Sequence, residues 1–419
     1  MREMKDSNYG YLGIVPQSWK VDKIKYHLKA LGMRNPGNAQ VLSVYREYGV
    51  IPKDSRDDNH NVTSEDTSNY RYVRKGDFVI NKMKAWQGSM AVSRYTGIVS
   101  PAYYVYQFTD DALNRGYFHY LLRSKLYAAE FARISGGIRV GQWDLSAYNF
   151  ENTMLLIPSL EEQGKIATFL DSQCSEIDAI SADIQKEIEI LEQYKRSVIT
   201  EAVTKGLNPD AEMKDSGVPW IGKMPANWTC IKGKYILKYM QKPVKTDDGV
   251  ITCFRDGEVT LRSNRREDGF TMADKEIGYQ GIDVGDLVVH GMDGFAGAIG
   301  ISDSRGKASP VLNVLDSRQN KKYIMYYLRS MAYGDVFAAL ATGIRVRSCD
   351  LRWNKLSVLL YPVPPLEEQA EIVQYIEDTL NKVNGVIGEK KQQLTVIDSY
   401  KKSLIYEYVT GKEEVPAQN

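Results

Sequence analysis

Basic and aromatic side chains alternate in the stretch INKMKAWQGSMAVSR (Ile80–Arg94), and these groups are well suited to binding a polyanion. The stretch contains five residues of interest: Lys82, Lys84, Trp86, Gln87 and Arg94. Lysine and arginine contact phosphate oxygens, whereas amide, guanidinium and aromatic groups can enter a groove of a duplex. The pattern therefore predicts contact with DNA, and an ordinary solvated surface is the alternative.

A second basic stretch is SNRRED (Ser263–Asp268), where Arg265 and Arg266 are adjacent. The tetrapeptide GIRV occurs twice and supplies the next candidates, together with an arginine that follows the second copy: Arg139, Arg345 and Arg347. We predict that these arginines also contact DNA.

The sequence shows no catalytic signature beside these residues. It has no GxxxxGK[ST] phosphate loop, and no GxGxxG follows a predicted strand. SPAY (Ser100–Tyr103) lacks the second proline of an amino-methyltransferase motif, and PDAEMK (Pro209–Lys214) is too compact for a nuclease motif drawn from two strands. The four histidines are dispersed and predict no metal cluster: His27, His60, His119 and His290. A non-catalytic binding or scaffold protein is favoured, with no cofactor and no metal in this chain.

The length of 419 residues exceeds one ordinary hydrophobic core, so two or more domains are expected. No stretch approaches the roughly 18 apolar residues of a membrane span, and MREMKDSNYG at the start has no apolar signal segment. The cysteines are far apart and form no CxxC pair, which argues against disulfides and thiolate metal sites. We expect a soluble, cytoplasmic protein with reduced thiols and no membrane partner.

Charge alternates along the chain although the net charge is only +1. Residues 20–157 have 19 basic and 13 acidic side chains, a net of +6, and residues 229–363 have 20 and 15, a net of +5. The intervening residues 158–210 and 364–414 have nets of −6 and −4. Basic blocks suit a polyanion and acidic blocks are repelled by one.

The chain also repeats itself. Residues 157–204 align without a gap with residues 363–410, and 13 of these 48 pairs are identical, too many for chance. A second match joins Met4–Trp19 to Met213–Trp228, with an offset of 209. The sequence therefore predicts two halves with one architecture, whose edges are similar and whose middles diverge. Since the GIRV arginines are common to both halves, phosphate contact and support of the fold both stay open for them.

Apolar residues recur every seven positions in the repeated segments, as in a helix packed along another helix. This predicted seam, which we also assign to partner docking, comprises Leu170, Ile177, Ile184, Leu191, Val198, Ile376, Val383, Ile397 and Leu404. A second seam position is expected to hold Ile166, Ile180, Tyr194, Val386 and Tyr400. The polar residues Gln173, Glu187 and Lys390 interrupt the pattern. Each middle shows short strand-like runs and one helical stretch, Tyr117–Arg133 in the first half and Lys322–Leu340 in the second, so the predicted fold class is α+β.

Three motifs together resemble a known family. They are P-x-L-E-E-Q at the start of each helix, YK-x-S-(V/L)-I near its end, and S-G-(x)2-W-(I/L)-G-(x)2-P-(x)2-W at the start of a half, where NYGYLG (Asn8–Gly13) departs from the pattern. The chain resembles the specificity subunits of type I restriction-modification enzymes over nearly its whole length. The resemblance implies two target recognition domains, at 1–157 and 211–363, separated by two antiparallel coiled-coil helices at 158–210 and 364–419.

The same resemblance implies the partners. These are double-stranded DNA with a bipartite target, two methyltransferase subunits, and restriction or translocase subunits. S-adenosylmethionine, ATP and Mg²⁺ are expected on these partner subunits and not on this chain. Two alternatives stay open at this point. One is a targeting subunit of a stand-alone methyltransferase or another defence complex, and the other is a coiled-coil adaptor that binds only protein.

Overall fold

A computed structural model describes residues 2–46, 48–56, 63–137, 143–265, 277–339 and 351–416. The chain divides into two compact units. Unit 1 comprises Met1–Ile184 and Gln392–Asn419, and unit 2 comprises Gln185–Lys391. Both units mix strands and helices, which confirms the α+β prediction at this level.

In unit 1, short antiparallel strands precede the first long helix. The strands are β1 (Met4–Asp6), β2 (Ile14–Pro16), β3 (Lys20–Lys23), β4 (Leu28–Ala30), β5 (Leu42–Tyr45), β6 (Gly49–Pro52), β7 (Arg71–Val73), β8 (Phe78–Asn81), β9 (Met90–Val92), β10 (Gly97–Val99), β11 (Tyr103–Phe108) and β12 (Met154–Ile157). The helices are α1 (Arg115–Arg123), α2 (Lys125–Ile134), α3 (Ala147–Glu151) and α4 (Leu160–Lys205), the last of which continues into unit 2. The main sheet has the order β4-β11-β8-β9, and every residue of β8 is buried.

Unit 2 repeats this series. Its strands are β13 (Met213–Asp215), β14 (Lys223–Pro225), β15 (Thr229–Lys232), β16 (Leu237–Met240), β17 (Ile251–Cys253), β18 (Val259–Leu261), β19 (Gln280–Ile282), β20 (Leu287–His290), β21 (Ile299–Ile301), β22 (Gly306–Ala308), β23 (Leu312–Ser317) and β24 (Leu360–Val363). Its helices are α5 (Gly233–Ile236), α6 (Lys321–Tyr333), α7 (Val336–Ala339), α8 (Trp353–Leu356) and α9 (Leu366–Val409), the last of which returns to unit 1.

The two series correspond strand by strand, because every strand of unit 1 has its counterpart twelve strands later. The main sheet of unit 2 has the order β16-β23-β20-β21, and the five two-stranded or four-stranded sheets of one unit recur in the other. Duplication is thus visible in the fold even where the middles diverge in sequence. This is expected, since a buried strand requires apolar side chains of suitable size rather than particular residues.

Helices α4 and α9 have 46 and 44 residues, which corresponds to about 69 and 66 Å of helix. Each follows a proline, and each has two glutamates in its first turn, where the helix dipole favours negative charge. Each is followed by a glycine with a left-handed backbone, Gly206 at φ +73° and Gly411 at φ +69°, which ends the helix within one or two residues.

Within unit 1, the segments of the two long helices lie antiparallel. The rings of Phe169 and Tyr408 are 4.5 Å apart, and Lys401 Nζ lies 2.6 Å from an oxygen of Asp178. Residue numbers therefore rise along α4 while those of the contacting residues of α9 fall. Within unit 2, Lys390 pairs with Glu187. The two charged residues that interrupt the sequence pattern therefore neutralise each other.

The glutamine of each LEEQ motif fixes the globular part of its unit to a long helix. Gln163 and Gln369 are both fully buried. In unit 1, Gln163 Oε1 accepts a hydrogen bond from the backbone N–H of Asn114 at 2.7 Å, and in unit 2, Gln369 Oε1 accepts one from Asn320 at 2.9 Å. Asn114 and Asn320 cap the N-termini of α1 and α6, so the motif holds equivalent helices in place.

Two further repeated contacts complete this junction. Trp19 Nε1 donates to Glu162 at 3.1 Å, and Trp228 Nε1 donates to Glu368 at 2.9 Å. The hydroxyl of Tyr117 lies 3.2 Å from the carbonyl oxygen of Val409, and its counterpart in unit 2, the Tyr323 hydroxyl, lies 3.0 Å from that of Val203. The repeated motifs meet at one junction in each unit, which explains why they occur together in the sequence.

Most of the predicted seam is buried, in keeping with helix pairing. The residues with at most 8% exposure are Leu170, Ile177, Val198, Ile376, Val383 and Leu404, and the partly exposed ones are Ile184, Leu191 and Ile397. The second seam position was predicted incorrectly. Ile166 is buried, but four of its members are exposed by 42–55%: Ile180, Tyr194, Val386 and Tyr400. Among the described residues, two segments of the long helices pack against the globular part of each unit, and the opposite face of this helix pair is exposed.

Candidate nucleic-acid interface

The connection between β8 and β9 brings four of the predicted DNA-binding residues together. Ala85 is fully buried and anchors a 3-10 turn at Ala85–Gln87, which leaves Lys84 exposed and Trp86 and Gln87 partly exposed. The indole N–H of Trp86 donates to the Met83 carbonyl at 3.1 Å, so the ring is held at the tip of the loop.

Lys82 is less free than Lys84. Its ammonium lies 2.9 Å from Asp144, and this hydrogen bond raises the pKa of Lys82. Among the described residues, Lys84 has no ion-pair partner. A solvated ammonium that is not neutralised is free to contact phosphate, so Lys84 is the stronger phosphate candidate of the two.

Trp143 packs against the same loop. Its ring centroid lies 5.1 Å from that of Trp86, with an interplanar angle of 62°. The backbone N–H of Leu145 donates to the Lys82 carbonyl at 3.0 Å, which joins this segment to the loop. A partly exposed aromatic pair beside lysines can stack on bases or fill a groove. Trp143 was not predicted from the sequence, although it follows directly on the GIRVGQ stretch.

Arg94 lies apart from the other four predicted residues. In the hairpin, Ile80 of β8 pairs with Met90 and Phe78 pairs with Val92. Lys82–Gln87 therefore form one end of the hairpin, and Arg94 follows the other end. The structure thus does not bring Arg94 to the loop that holds Trp86.

The equivalent loop of unit 2 presents different chemistry. Its tip carries Asp293 where unit 1 has Lys84, and Phe295 where unit 1 has Trp86. Arg255 donates to Asp293 at 2.9 Å. The same backbone thus displays an ammonium and an indole in one unit and a carboxylate and a phenyl ring in the other, as expected of two surfaces that bind different sequences.

Arg265 is engaged within unit 2. Its guanidinium lies 2.5 Å from Asp256 and 3.1 Å from Glu258, and it covers the ring of Phe254 at 4.2 Å. The hydrogen bond to Asp256 raises the pKa of Arg265. A guanidinium with two carboxylate partners must exchange them before it can contact phosphate. The other predicted arginines lie outside the described residues: Arg139, Arg266, Arg345 and Arg347.

Unit 1 has a counterpart of Arg265 that was not predicted. Arg56 covers the rings of Tyr48 and Tyr45 at 4.4 and 5.9 Å, and Tyr48 is 56% exposed. The offset of 209 relates Arg56 to Arg265 and Tyr45 to Phe254. Applying the repeat offset to each candidate would have found this stacked arginine in the sequence.

The open face of the long helices carries equivalent apolar residues in both units. Ile180 and Tyr400 of unit 1 are 52% and 55% exposed, and they adjoin the ion-paired residues Asp178 and Lys401. The repeat offset of 206 converts this pair into Val386 and Tyr194 of unit 2, exposed by 42% and 48%. We call these two sets the exposed apolar pairs.

Neither a metal site nor a membrane-spanning helix is found among the residues that the structure describes. Among them, no three histidine, cysteine, aspartate or glutamate side chains are grouped so that they could hold a metal ion. No helix within the same ranges has the length and apolar character needed to cross a membrane.

The chain is similar in sequence to known proteins. A family model, the type I restriction modification DNA specificity domain, matches residues 19–190. The StySPI specificity subunit of Salmonella potsdam is 20% identical over 72% of this chain and 66% of its own length. The MjaVIII specificity subunit of Methanocaldococcus jannaschii is 24% identical over 97% of this chain and 95% of its own length.

A solved structure is similar in fold. It comes from work on complex assembly and conformational transition of the type I R-M system, and it superposes on this chain with a TM-score of 0.68. The match covers 95% of this chain and 99% of that one at 13% identity. The match to a DNA specificity domain, together with the basic, aromatic loop of unit 1, indicates a DNA-recognition protein. The chain is similar to type I restriction-modification specificity subunits, over residues 19–190 in the family model and over up to 97% of its length in these relatives.

Proposed function

We propose that each globular domain reads one half of a bipartite target in double-stranded DNA. The proposed domains are 1–157 and 211–363, joined by the helical segments 158–210 and 364–419. The observation that carries the proposal is the repetition of one strand order in two units whose β8–β9 and β20–β21 loops differ in charge. One scaffold with two different surfaces suits two different half-sites.

The exposed apolar pairs are proposed as the docking surfaces of two methyltransferase subunits. They are equivalent under the sequence repeat, so two copies of one partner can bind them in the same way. Their helices carry net negative charge, which discourages DNA and leaves this face for protein. The buried seam residues hold the helices together and are not accessible to a partner.

The helices are also proposed to set the gap between the half-sites. We expect half-site centres roughly 10 base pairs apart, since both domains then face the same side of the duplex. S-adenosylmethionine, ATP and Mg²⁺ are assigned to the methyltransferase and restriction subunits. The complex acts on DNA, and we therefore assign it to the cytoplasm.

Methylation mapping of the complex tests this proposal. The full chain, purified with its methyltransferase subunits, should methylate a motif of two half-sites separated by bases of any identity. Trp86→Ala together with Lys84→Gln should weaken selection at one half-site and leave the other unchanged. Lys186→Gln on α4 is the matched control, since Lys186 is exposed and lies outside both loops. Relaxed selection at both half-sites, or at neither, would contradict the assignment of this loop.

A further inference from the structure

A basic and aromatic tetrapeptide, K-x-K-Y, occurs once in each unit. It reads Lys23-Ile24-Lys25-Tyr26 in unit 1 and Lys232-Gly233-Lys234-Tyr235 in unit 2, with the repeat offset of 209. We call these segments the KxKY turns. They lie outside the β8–β9 and β20–β21 loops and are not part of the candidate nucleic-acid interface.

Both KxKY turns expose their tyrosine and their second lysine; of the first lysines, Lys232 is exposed and Lys23 is partly exposed. Each forms one helical turn between two strands, at Ile24–Tyr26 in unit 1 and at Gly233–Ile236 in unit 2. Tyr26 is 59% exposed and Tyr235 is 72% exposed, and the preceding lysine ammonium lies over each ring, at 5.4 and 4.9 Å. The residue between the two lysines differs between the units, but it faces inward in both. Ile24 is fully buried, and Gly233 is buried as well.

Gly233 shows that this orientation is built into the fold. A Cβ atom at this position would lie 2.2 Å from the Leu356 carbonyl oxygen and 2.9 Å from the Tyr361 ring. The turn therefore packs tightly against the segment before β24. Because Gly233 packs against the protein interior, the two lysines and the tyrosine of this turn are held on the opposite, solvent-facing side.

The lysines of unit 1 converge on a neutral acceptor. The ammonium groups of Lys23 and Lys25 lie 3.3 and 3.2 Å from the same amide oxygen, Asn152 Oδ1. Two cations that share one neutral oxygen leave most of their charge uncompensated. Among the described residues, no carboxylate oxygen lies within 4 Å of either ammonium.

Carboxylates near this turn interact with a different group. Asp22 and Asp110 lie 3.7 and 3.1 Å from the two ring nitrogens of His27. In unit 2, the residues equivalent to Asp22 and His27 are Ile231 and Ile236, so this acidic set is missing there. The shared chemistry is the pair of lysines and the exposed tyrosine.

An anion that fits this group is a phosphate of a nucleic-acid backbone. Lysine ammonium groups are compact point charges that bind phosphate without reading a base, and a tyrosine hydroxyl can donate to a phosphate oxygen. Because the two domains are proposed to read different half-sites, a feature common to both is not suited to base recognition. The pattern fits a contact that is independent of sequence.

Charge complementarity favours DNA over a protein partner. The long helices are acidic, with nets of −6 and −4, so a protein that docks on them presents a basic or neutral surface. A basic surface of this kind would be repelled by the lysines of a KxKY turn, and a neutral one would not be attracted by them. DNA is attracted by them, as it is by the rest of the basic globules.

The KxKY turn of unit 1 is remote from the loop that holds Trp86. Strand β11 runs between them: Tyr103 pairs with Asn81 beside that loop, and Phe108 pairs with Leu28 beside the turn. Five residues of strand span about 17 Å, which is the length of about five base pairs. A phosphate bound at the turn therefore lies several base pairs from the bases at the loop.

We propose that the KxKY turns bind DNA phosphates in a sequence-independent way, at a distance from the bases that each domain reads. This inference rests on the proposed function, because it assigns a further contact to the same DNA. It adds affinity without adding specificity, and it does so equally in both units.

The test uses the full chain in complex with its methyltransferase subunits. Lys23, Lys25, Lys232 and Lys234 are all changed to Gln, and dissociation constants for a target and a non-target duplex are measured over a range of salt concentrations. Removal of one lysine–phosphate interaction should reduce the slope of log K against log salt by about 0.9, so the slope should fall by up to about 3.6 in the fourfold variant. Affinity for the two duplexes should fall by the same factor, leaving their ratio unchanged.

Lys186→Gln with Lys382→Gln is the matched control, because both lysines are exposed on the long helices. A variant with the slope and affinity of this control would overturn the inference while leaving the proposed function intact. A lower ratio between target and non-target duplex would overturn it in favour of base reading, and loss of the methyltransferase subunits would do so in favour of protein docking. Absence of salt-dependent binding by the unmodified complex would instead reject the proposed function itself.

Discussion

Leu170→Asp and Ile180→Asp place the same carboxylate on the same helix but should have opposite consequences. Leu170 is fully buried in a core that also contains Leu404 of α9. Ile180, ten residues further along α4, is 52% exposed. We expect the first change to destabilise unit 1 and the second to remove one docking surface without unfolding the chain.

The expected magnitudes differ widely. Loss of a buried leucine side chain costs about 2–3 kcal/mol of apolar burial. Holding the new carboxyl neutral at pH 7, about three units above its ordinary pKa, costs about 4 kcal/mol more. The total of about 6 kcal/mol is comparable with the stability of a whole domain, about 5–15 kcal/mol. At the half-exposed position of Ile180, the change in stability should be about 0.5 kcal/mol.

Two measurements on the full chain separate these outcomes. Thermal unfolding followed by circular dichroism should show a large loss of stability for Leu170→Asp and almost none for Ile180→Asp. The mass of the complex should fall from two methyltransferase subunits to one for Ile180→Asp, because Val386 and Tyr194 of the equivalent pair are unchanged. Ile180→Asp with Val386→Asp should bind none.

Either of two results would refute this reasoning. Unchanged unfolding of Leu170→Asp would show that α4 and α9 do not share a core in unit 1. Retention of two methyltransferase subunits by the Ile180→Asp, Val386→Asp variant would show that the exposed apolar pairs are not the docking surface.

Three further predictions concern activity, spacing and acidity. The isolated chain should transfer no methyl group from radiolabelled S-adenosylmethionine to DNA, and any transfer would contradict its assignment as a non-catalytic subunit. Deleting residues 183–189 and 389–395 removes one heptad from each helix, about 10 Å, so the gap between half-sites should shorten by about three base pairs or DNA binding should be abolished. An unaltered gap would show that the helices do not set it. Burial and the neighbouring Arg123 lower the pKa of His119 to about 3, so the stability held by its neutral form is complete above about pH 6.5 and declines as the pH falls towards 3. His119→Met, which introduces the residue found at the equivalent position 325, should reduce the loss of melting temperature between pH 7 and pH 5, and an unchanged loss would contradict the assignment.

The features that the sequence predicted are those with a repeating pattern. Internal duplication follows from the alignment of the two halves, and the two long helices with most of the buried seam follow from spacing, because a seven-residue apolar period is typical of a helix that packs along another helix. Six of the seam residues proved to be buried. The polar interruptions Glu187 and Lys390 looked like defects when each helix was considered separately, and they pair when the helices come together.

The features that the sequence did not predict depend on which face a neighbour covers. Ile180 and Tyr400 have the spacing of seam residues, yet they are exposed. Their exposure depends on how many helices pack together, and that number cannot be read from the spacing of apolar residues. The engagement of Arg265 with Asp256 and Glu258 likewise depends on the fold of a loop. Gln163 was visible as part of a repeated motif, but its role as an acceptor for the Asn114 N–H is a matter of three-dimensional position.

Exchange of one domain tests the central claim most directly, namely that each half of the chain reads its own half-site. Residues 20–157 would be replaced by the corresponding domain of another specificity subunit of known target, and the DNA methylated by the reconstituted complex would be sequenced. We predict that one half-site changes to that of the donor, while the other half-site and the gap stay the same. A change in both half-sites, or in neither, would contradict independent reading by the two domains.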